Sequence, residues 1–533
     1  MRKIFLSLLF ILLIASCAQA EIISGPDVAV AETKAGKVQG YIHDGIFTYL
    51  GVKYAEAEKF MPPVKLKSWY GVKLAVTYGA VSPQGITQQE DMFAAHWYWP
   101  YWQTRNYQQD NNCLNLNIWT PGLDDKKRPV MVWLHGGGFS AGASAVEDIY
   151  NGENLSRKGD AVIVSINHRL NIYGFLDLSA YGEEYKYSGN LGVMDLVFAL
   201  EWVKENIKSF GGDPDNITLF GQSGGGAKIL ALMETPAAKN LFNKAIIQSG
   251  AVDLMGITLP DQSTSRRIAE LTLKNLNLNK SEVSRLKEID YKDLIAAGNN
   301  AMAQAVKEGH KILSWSPVKD GDYIPDDPVA GKDAFKHTKN IPVLIGSCLN
   351  EWVTVPLFAD MERTQRDNKN FWSEDKAKAK LKEKYGDKAE LIAQEFLKAY
   401  PYKKFADALY VDTRLRTGAL KTLNIKASQN GAKVYAYVFT WETPVMGGYA
   451  MAYHCSELPF VFNNVNLTAE TVTGGGARAQ ALADKISQVW INFARTGEPG
   501  WEAYTPDNGA TMLLDDEFRL VYNHDKELLN LLK

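Results

Sequence analysis

The chain has 533 residues, 46% hydrophobic and 22% charged, which is ordinary for a folded protein and long enough for a large core. Its 58 basic and 61 acidic residues give a net charge of −3, and no basic block or stripe stands out, so nothing recommends nucleic acid as a partner. The absence of internal repeats and low-complexity tracts argues against a solenoid.

In chain order, Arg2 and Lys3 precede an apolar run over 4–14, and Ala18-Gln19-Ala20 fits a signal-peptidase site. Residues 1–20 therefore read as a signal peptide, and the run is too short to span a bilayer as a mature helix. Ile14-Ala15-Ser16-Cys17 also resembles a lipoprotein cleavage box, with Cys17 as the lipid-bearing residue. Both readings send the protein out of the cytoplasm, and simple secretion or a periplasmic location is the favoured one. Three cysteines remain beyond Cys17, namely Cys113, Cys348 and Cys455, too few for a disulfide scaffold.

Short alternating segments at 36–41 and 47–50, with glycine turns, predict antiparallel strands. The stretch 80–112 is irregular and dense in aromatic residues, from Phe93 through Trp97, Trp99 and Trp102 to Tyr107; it is expected to line a cleft or fill a minor core. Strands follow at 114–120, 129–134 and 161–167, the last too continuously apolar to be covered on one face only. Over 191–210, Val193, Leu196, Leu200, Val203 and Ile207 recur at helical spacing. Further strands are predicted at 216–220, 244–248, 341–345 and 434–440, the last of these as the final core strand, and a closing helix at 482–496. Segments near 255–335 and 370–430 turn charged and helical and read as insertions over the sheet. The lysine-rich run 376–384 reads as a solvated helix face. Strands alternating with helices predict an α/β protein with a mostly parallel sheet.

Two matches to Gly-x-Ser-x-Gly occur, at Ser140 and at Ser223, where roughly 0.2 are expected by chance in a chain of this length. Only Ser223 has a strand before it and a helix, read from Lys228 to Glu234, after it, the context of a nucleophile elbow. The triplet after His135 then gains a role. Backbone N–H groups of Gly137 and Gly138, with that of Gly224, can receive a developing oxyanion. A serine nucleophile needs a base and an acid that orients it. His310 and His337 lie in charged, insertion-like sequence, and His524 lies near the C-terminus without a strand-end context. His454, just beyond a strand and a glycine-bearing loop, is the strongest candidate. Glu351 follows the strand at 341–345 and so lies beyond a strand's carboxyl end; its rival Asp320 reads better as a turn residue. Parts of one site drawn from the whole length predict a single catalytic domain over 21–533.

At this point the chain resembles the type B carboxylesterases, the cholinesterase-like branch of the α/β-hydrolases, as a bacterial secreted member. The resemblance rests on Cys113 through Pro121, His135 to Phe139, Tyr173-Gly174-Phe175-Leu176 and Phe210 through Pro214. It continues with Gly221 to Gly225, Gln248-Ser249-Gly250, Asn350-Glu351, and His454 with Ser456 to Phe460. It implies an α/β-hydrolase fold, ester hydrolysis through Ser223, Glu351 and His454, and no metal or cofactor. Lipase, thioesterase, lactonase or amidase activity is compatible with the same site, and a non-catalytic recognition module is the rival of another class. Three departures stand out. Gln222 occupies a position where the family usually has Glu, which disfavours a cationic substrate such as a choline ester. Gly224 stands where Ala is usual. Ser82 stands where a partner for Cys113 is often found, so that bridge is not expected, whereas Cys348 and Cys455 lie near two triad residues and a bond between them stays open.

Overall fold

A computed structural model describes residues 21–84, 107–145, 148–250, 259–312, 314–328, 333–354, 357 and 361–533. A twelve-stranded sheet gathers its strands from almost the whole of that length. They are β1 (Ile22–Ile23), β2 (Tyr41–His43), β3 (Ile46–Lys53), β4 (Asn115–Thr120), β5 (Arg128–Leu134) and β6 (Val162–Ile166). Then come β7 (Gly212–Gln222), β8 (Lys244–Gln248), β9 (Val343–Cys348), β10 (Val434–Phe439), β11 (Thr511–Leu514) and β12 (Arg519–Val521). Spatial order is β1-β2-β3-β4-β6-β5-β7-β8-β9-β10-β11-β12. The pairs from β6 through β11 are parallel, and the N-terminal edge, β4 against β6, and β12 are antiparallel.

The central strands are buried on both faces, and alternation divides their side chains between two cores. Val130, Val132 and Leu134 of β5 face one core with Ile217, Leu219, Ala245 and Ile247. Met131 and Trp133 face the other with Phe220, Ile246 and Leu344. Helices α1 (Leu191–Asn206) and α2 (Gly224–Glu234) fill the first core, with Val193, Leu196, Leu200 and Val203 on the buried stripe that the spacing predicted. Among later helices, α3 (Gln262–Asn275) and α4 (Tyr291–Lys307) pair with each other, as do α5 (Glu374–Tyr385) and α6 (Ala389–Ala399). Helix α7 (Leu415–Ala427) packs on β9 and β10 as the crossover between them. Helix α8 (Gly476–Thr496) covers the second core through Leu482, Ile486, Trp490 and Phe493. Its opening segment, Gly476 to Ala481, lies ahead of the predicted start because Gly-Ala-Arg-Ala-Gln-Ala carries no apolar periodicity.

Two expectations are corrected. The strand at Val434–Phe439 is not the last, because β11 and β12 extend the sheet beyond it; at four and three residues they are too short to show a period. Helix α2 begins at Gly224, four residues before Lys228, although glycine is a poor helix former, because the turn at Ser223 sets the start. The aromatic stretch falls largely outside the described residues. Its end, Tyr107, packs edge-on against Tyr78 and donates its hydroxyl to the Ala145 carbonyl beside a small core of Val81 and Ala143.

Candidate active site

The carboxyl ends of β5, β7, β8, β9 and β10 carry the loops that meet in one place. Register aligns Leu134 with Gly221, Gln222 with Gln248, Gln248 with Gly346, and Cys348 with Phe439. Each strand therefore releases its loop at the same edge of the sheet: His135 to Phe139 from β5, Ser223 from β7, Ser249 from β8 and Glu351 from β9.

Ser223 sits at φ 56° and ψ −126°, a conformation costly for any residue with a Cβ. Its N–H donates to the Gln248 carbonyl at 2.8 Å, which holds the turn against β8. The following residues have no room for side chains: a Cβ at Gly225 would stand 1.9 Å from the Leu134 carbonyl oxygen, and one at Gly224 would stand 2.3 Å from the Gly138 nitrogen. The N-terminus of α2 and the glycine loop after β5 are thus in direct backbone contact. Gly137 and Gly138 take φ values of 90° and 62°. The second Gly-x-Ser-x-Gly match, at Ser140, belongs to the turn that closes this loop, its N–H donating to the Gly137 carbonyl. Lys228 of α2, fully buried, fastens the same loop by donating from Nζ to the His135 carbonyl at 2.8 Å; burial depresses its pKa well below the usual lysine range.

Glu351 and His454, both fully buried, meet with 2.5 Å between Glu351 Oε2 and His454 Nδ1. The other carboxylate oxygen accepts from Ser249 Oγ at 2.6 Å and from the Cys348 N–H at 2.7 Å. The two loops are zipped together: Asn350 N–H donates to the Ala452 carbonyl, and the Ala452 N–H to Asn350 Oδ1, each at 3.0 Å. Burial pushes the Glu351 carboxyl up and the His454 imidazole down, the latter opposed by the charges of Glu457 and Asp412. His454 reaches the elbow at Gln222, whose Nε2 lies 3.3 Å and 3.4 Å from the two ring nitrogens. No hydrogen bond joins Ser223 Oγ to the ring among the described residues; such contacts are commonly long in enzymes without substrate.

Asp320, the rival acid, lies in a turn whose N–H groups at Asp322 and Ile324 donate to its Oδ1, and Asn190 donates to its other oxygen. His310 pairs with Thr264, and His524 lies beside Tyr400. Among the described residues Cys113, Cys348 and Cys455 form no disulfide: Cys348 Sγ donates to Glu457 and Cys455 Sγ to Gln222 Oε1 at 3.1 Å. Sequence reading did not assign roles to Ser249, Lys228 or Glu457. The signal for Ser249 was its place in Gln-Ser-Gly at a strand end, and for Lys228 a lysine among otherwise apolar positions of a buried helix.

Two predictions arise from these surroundings. Gln222→Glu places an anion beside the imidazole, so the acid limb of kcat/KM is expected to move to higher pH by roughly one unit. A pH–rate profile of a neutral ester checks this. Asp412, buried with its carboxylate accepting the Arg416 N–H at 3.1 Å, is pushed up to about 7 by burial. A carboxyl raised on folding favours the folded state fully below its unfolded pKa, near 4, and loses that contribution as pH rises through about 7. Asp412→Asn should therefore gain stability relative to the parent between pH 4 and 8, by roughly 2–4 kcal/mol across the window. Denaturant midpoints at the two ends measure the difference.

A strand, a strained serine turn and a helix at the centre of a mostly parallel sheet flanked by helices define an α/β-hydrolase. Residues 27–529 match the Carboxylesterase family, to which the chain belongs. It is 32% identical over 511 residues to the para-nitrobenzyl esterase of Bacillus subtilis (strain 168), covering 93% of this chain and 97% of that one. It is 31% identical over 509 residues to the phenmedipham hydrolase of Pseudarthrobacter oxydans, covering 92% and 95%. Among solved structures, an esterase from Clostridium hathewayi that can hydrolyze aliphatic aromatic polyesters matches with TM-score 0.86 and 38% identity, covering 96% of this chain and 99% of that one. The carboxylesterase EST55 of Geobacillus stearothermophilus matches with TM-score 0.72 and 31% identity, covering 95% and 100%. The chain is a serine hydrolase of carboxylic esters. Among the described residues no helix is long and apolar enough to cross a membrane.

Proposed function

We propose that ester cleavage runs through Ser223, His454 and Glu351, in one catalytic domain spanning 21–533. The observation that carries this reading is the buried 2.5 Å Glu351–His454 pair set against the elbow that holds Ser223. As Ser223 Oγ attacks the carbonyl carbon, its proton passes to His454 Nε2, and Glu351 holds the ring and stabilises the imidazolium. The oxyanion is received by the N–H groups of Gly137, Gly138 and Gly224. His454 then gives the proton to the departing alcohol oxygen, leaving an acyl-enzyme on Ser223. Water, deprotonated by His454, releases the acid by the same route.

The substrate class is a small carboxylic ester. The relatives act on a para-nitrobenzyl ester, on phenmedipham and on aliphatic aromatic polyesters, as their names state, so a panel graded by acyl length and by alcohol size is the informative screen. An organophosphonate should label Ser223; labelling elsewhere, with esterase activity intact, would sink the assignment. Residues 2–20 support export, and recovery of the mature chain from culture medium or periplasm, beginning at Glu21, is the expected outcome. A membrane-bound form bearing lipid on Cys17 would replace that location.

A further inference from the structure

The residue after Glu351 extends the site toward solvent. Trp352 opens a short 3₁₀ turn, and its indole lies against the imidazole of His454 with ring centroids 4.1 Å apart and planes inclined by 30°. Exposure across this contact is lopsided. His454 and Glu351 are 0% exposed and Gln222 is 1% exposed, whereas Trp352 keeps 38% of its surface in contact with solvent. Trp352 thus joins the buried imidazole to the protein surface.

The chemistry of acyl transfer gives this position a meaning. The imidazolium hands its proton to the departing alcohol oxygen, so that oxygen stands about 2.6–3.2 Å from His454 Nε2. The indole packed on the same ring is therefore within reach of groups attached to that oxygen. A partly exposed indole there presents a large flat apolar surface, and aromatic rings stack on such a surface in offset or edge-on arrangements.

We propose that Trp352 is a specificity-determining residue that selects esters whose alcohol portion carries an aromatic ring, benzyl and aryl esters above all. This rests on His454 being the acid that protonates the leaving group. The indole supplies a stacking face for the alcohol's ring beside its contact with the imidazole. An alkyl alcohol of the same size fills the same space without the stacking.

Benzyl acetate and cyclohexylmethyl acetate separate the two effects, because they share the acyl group and nearly the same alcohol size, and differ in aromaticity. The parent protein is expected to favour the benzyl ester in kcat/KM by roughly 2- to 12-fold, the range of one aromatic pair. Trp352→Leu should bring the ratio close to one, and Trp352→Phe should restore part of it. Organophosphonate labelling of Ser223, run on all three proteins, reports that each is folded and competent. A parent with no benzyl preference, or a preference that survives in Trp352→Leu while Ser223 is still labelled, overturns the proposal. A parent that takes no label and turns over neither ester overturns the triad assignment itself, and the role of Trp352 with it.

Discussion

Ser223→Ala is expected to lower kcat for a p-nitrophenyl acyl ester by roughly 10⁶-fold, the loss seen when a triad serine is removed. The substitution should leave the fold alone. The backbone bond from residue 223 to the Gln248 carbonyl is retained, and only one buried oxygen is lost from a position that is 2% exposed. Unchanged thermal unfolding beside lost turnover is therefore the expected pair of results. Turnover within tenfold of the parent would place the nucleophile elsewhere.

Glu351→Gln should cost roughly 10⁴-fold in kcat with little change in KM, as amide replacement of a triad acid does through the wrong imidazole tautomer. The local geometry explains why the effect should be large here. Oε1 of Glu351 accepts from two donors, Ser249 Oγ and the Cys348 N–H. An amide at that position must turn its oxygen toward those donors, which leaves its NH₂ facing His454 Nδ1. The ring can meet an NH₂ only by carrying its proton on Nε2, the nitrogen that has to accept from Ser223. Steady-state kinetics across pH 6 to 9 checks this, and a loss below tenfold would remove Glu351 from the orienting role.

Much of this was legible in the chain. β5 through β10 hold continuous apolar runs, so their place in the middle of a doubly covered sheet could be read directly, and helix α1 announced its buried stripe by spacing alone. The ends of the sheet were less legible. β11 and β12 gain their pairing from neighbours far away in sequence, and short segments carry no period of their own. Ser223, His454 and Glu351 could be picked out as candidates because acyl transfer calls for those residue types after strand ends. The supporting contacts were not. Ser249 on the carboxylate, Lys228 on the His135 carbonyl and Trp352 on the imidazole join residues from different loops, and only tertiary structure shows which partners meet. Gln222 lies between: its departure from the usual Glu was visible, but its link to Cys455 was not.

The approach of Gly224 to Gly138 has an evolutionary consequence. A methyl group at 224 would overlap the backbone of the loop after β5, so the alanine usual in the family is admissible only if that loop first moves away. The loop is in turn pinned through His135 to Lys228, one turn along the same helix. Positions 138 and 224 are thus expected to be coupled, a side chain at 224 requiring a displaced backbone at 138, while the Lys228 tie at His135 resists that displacement.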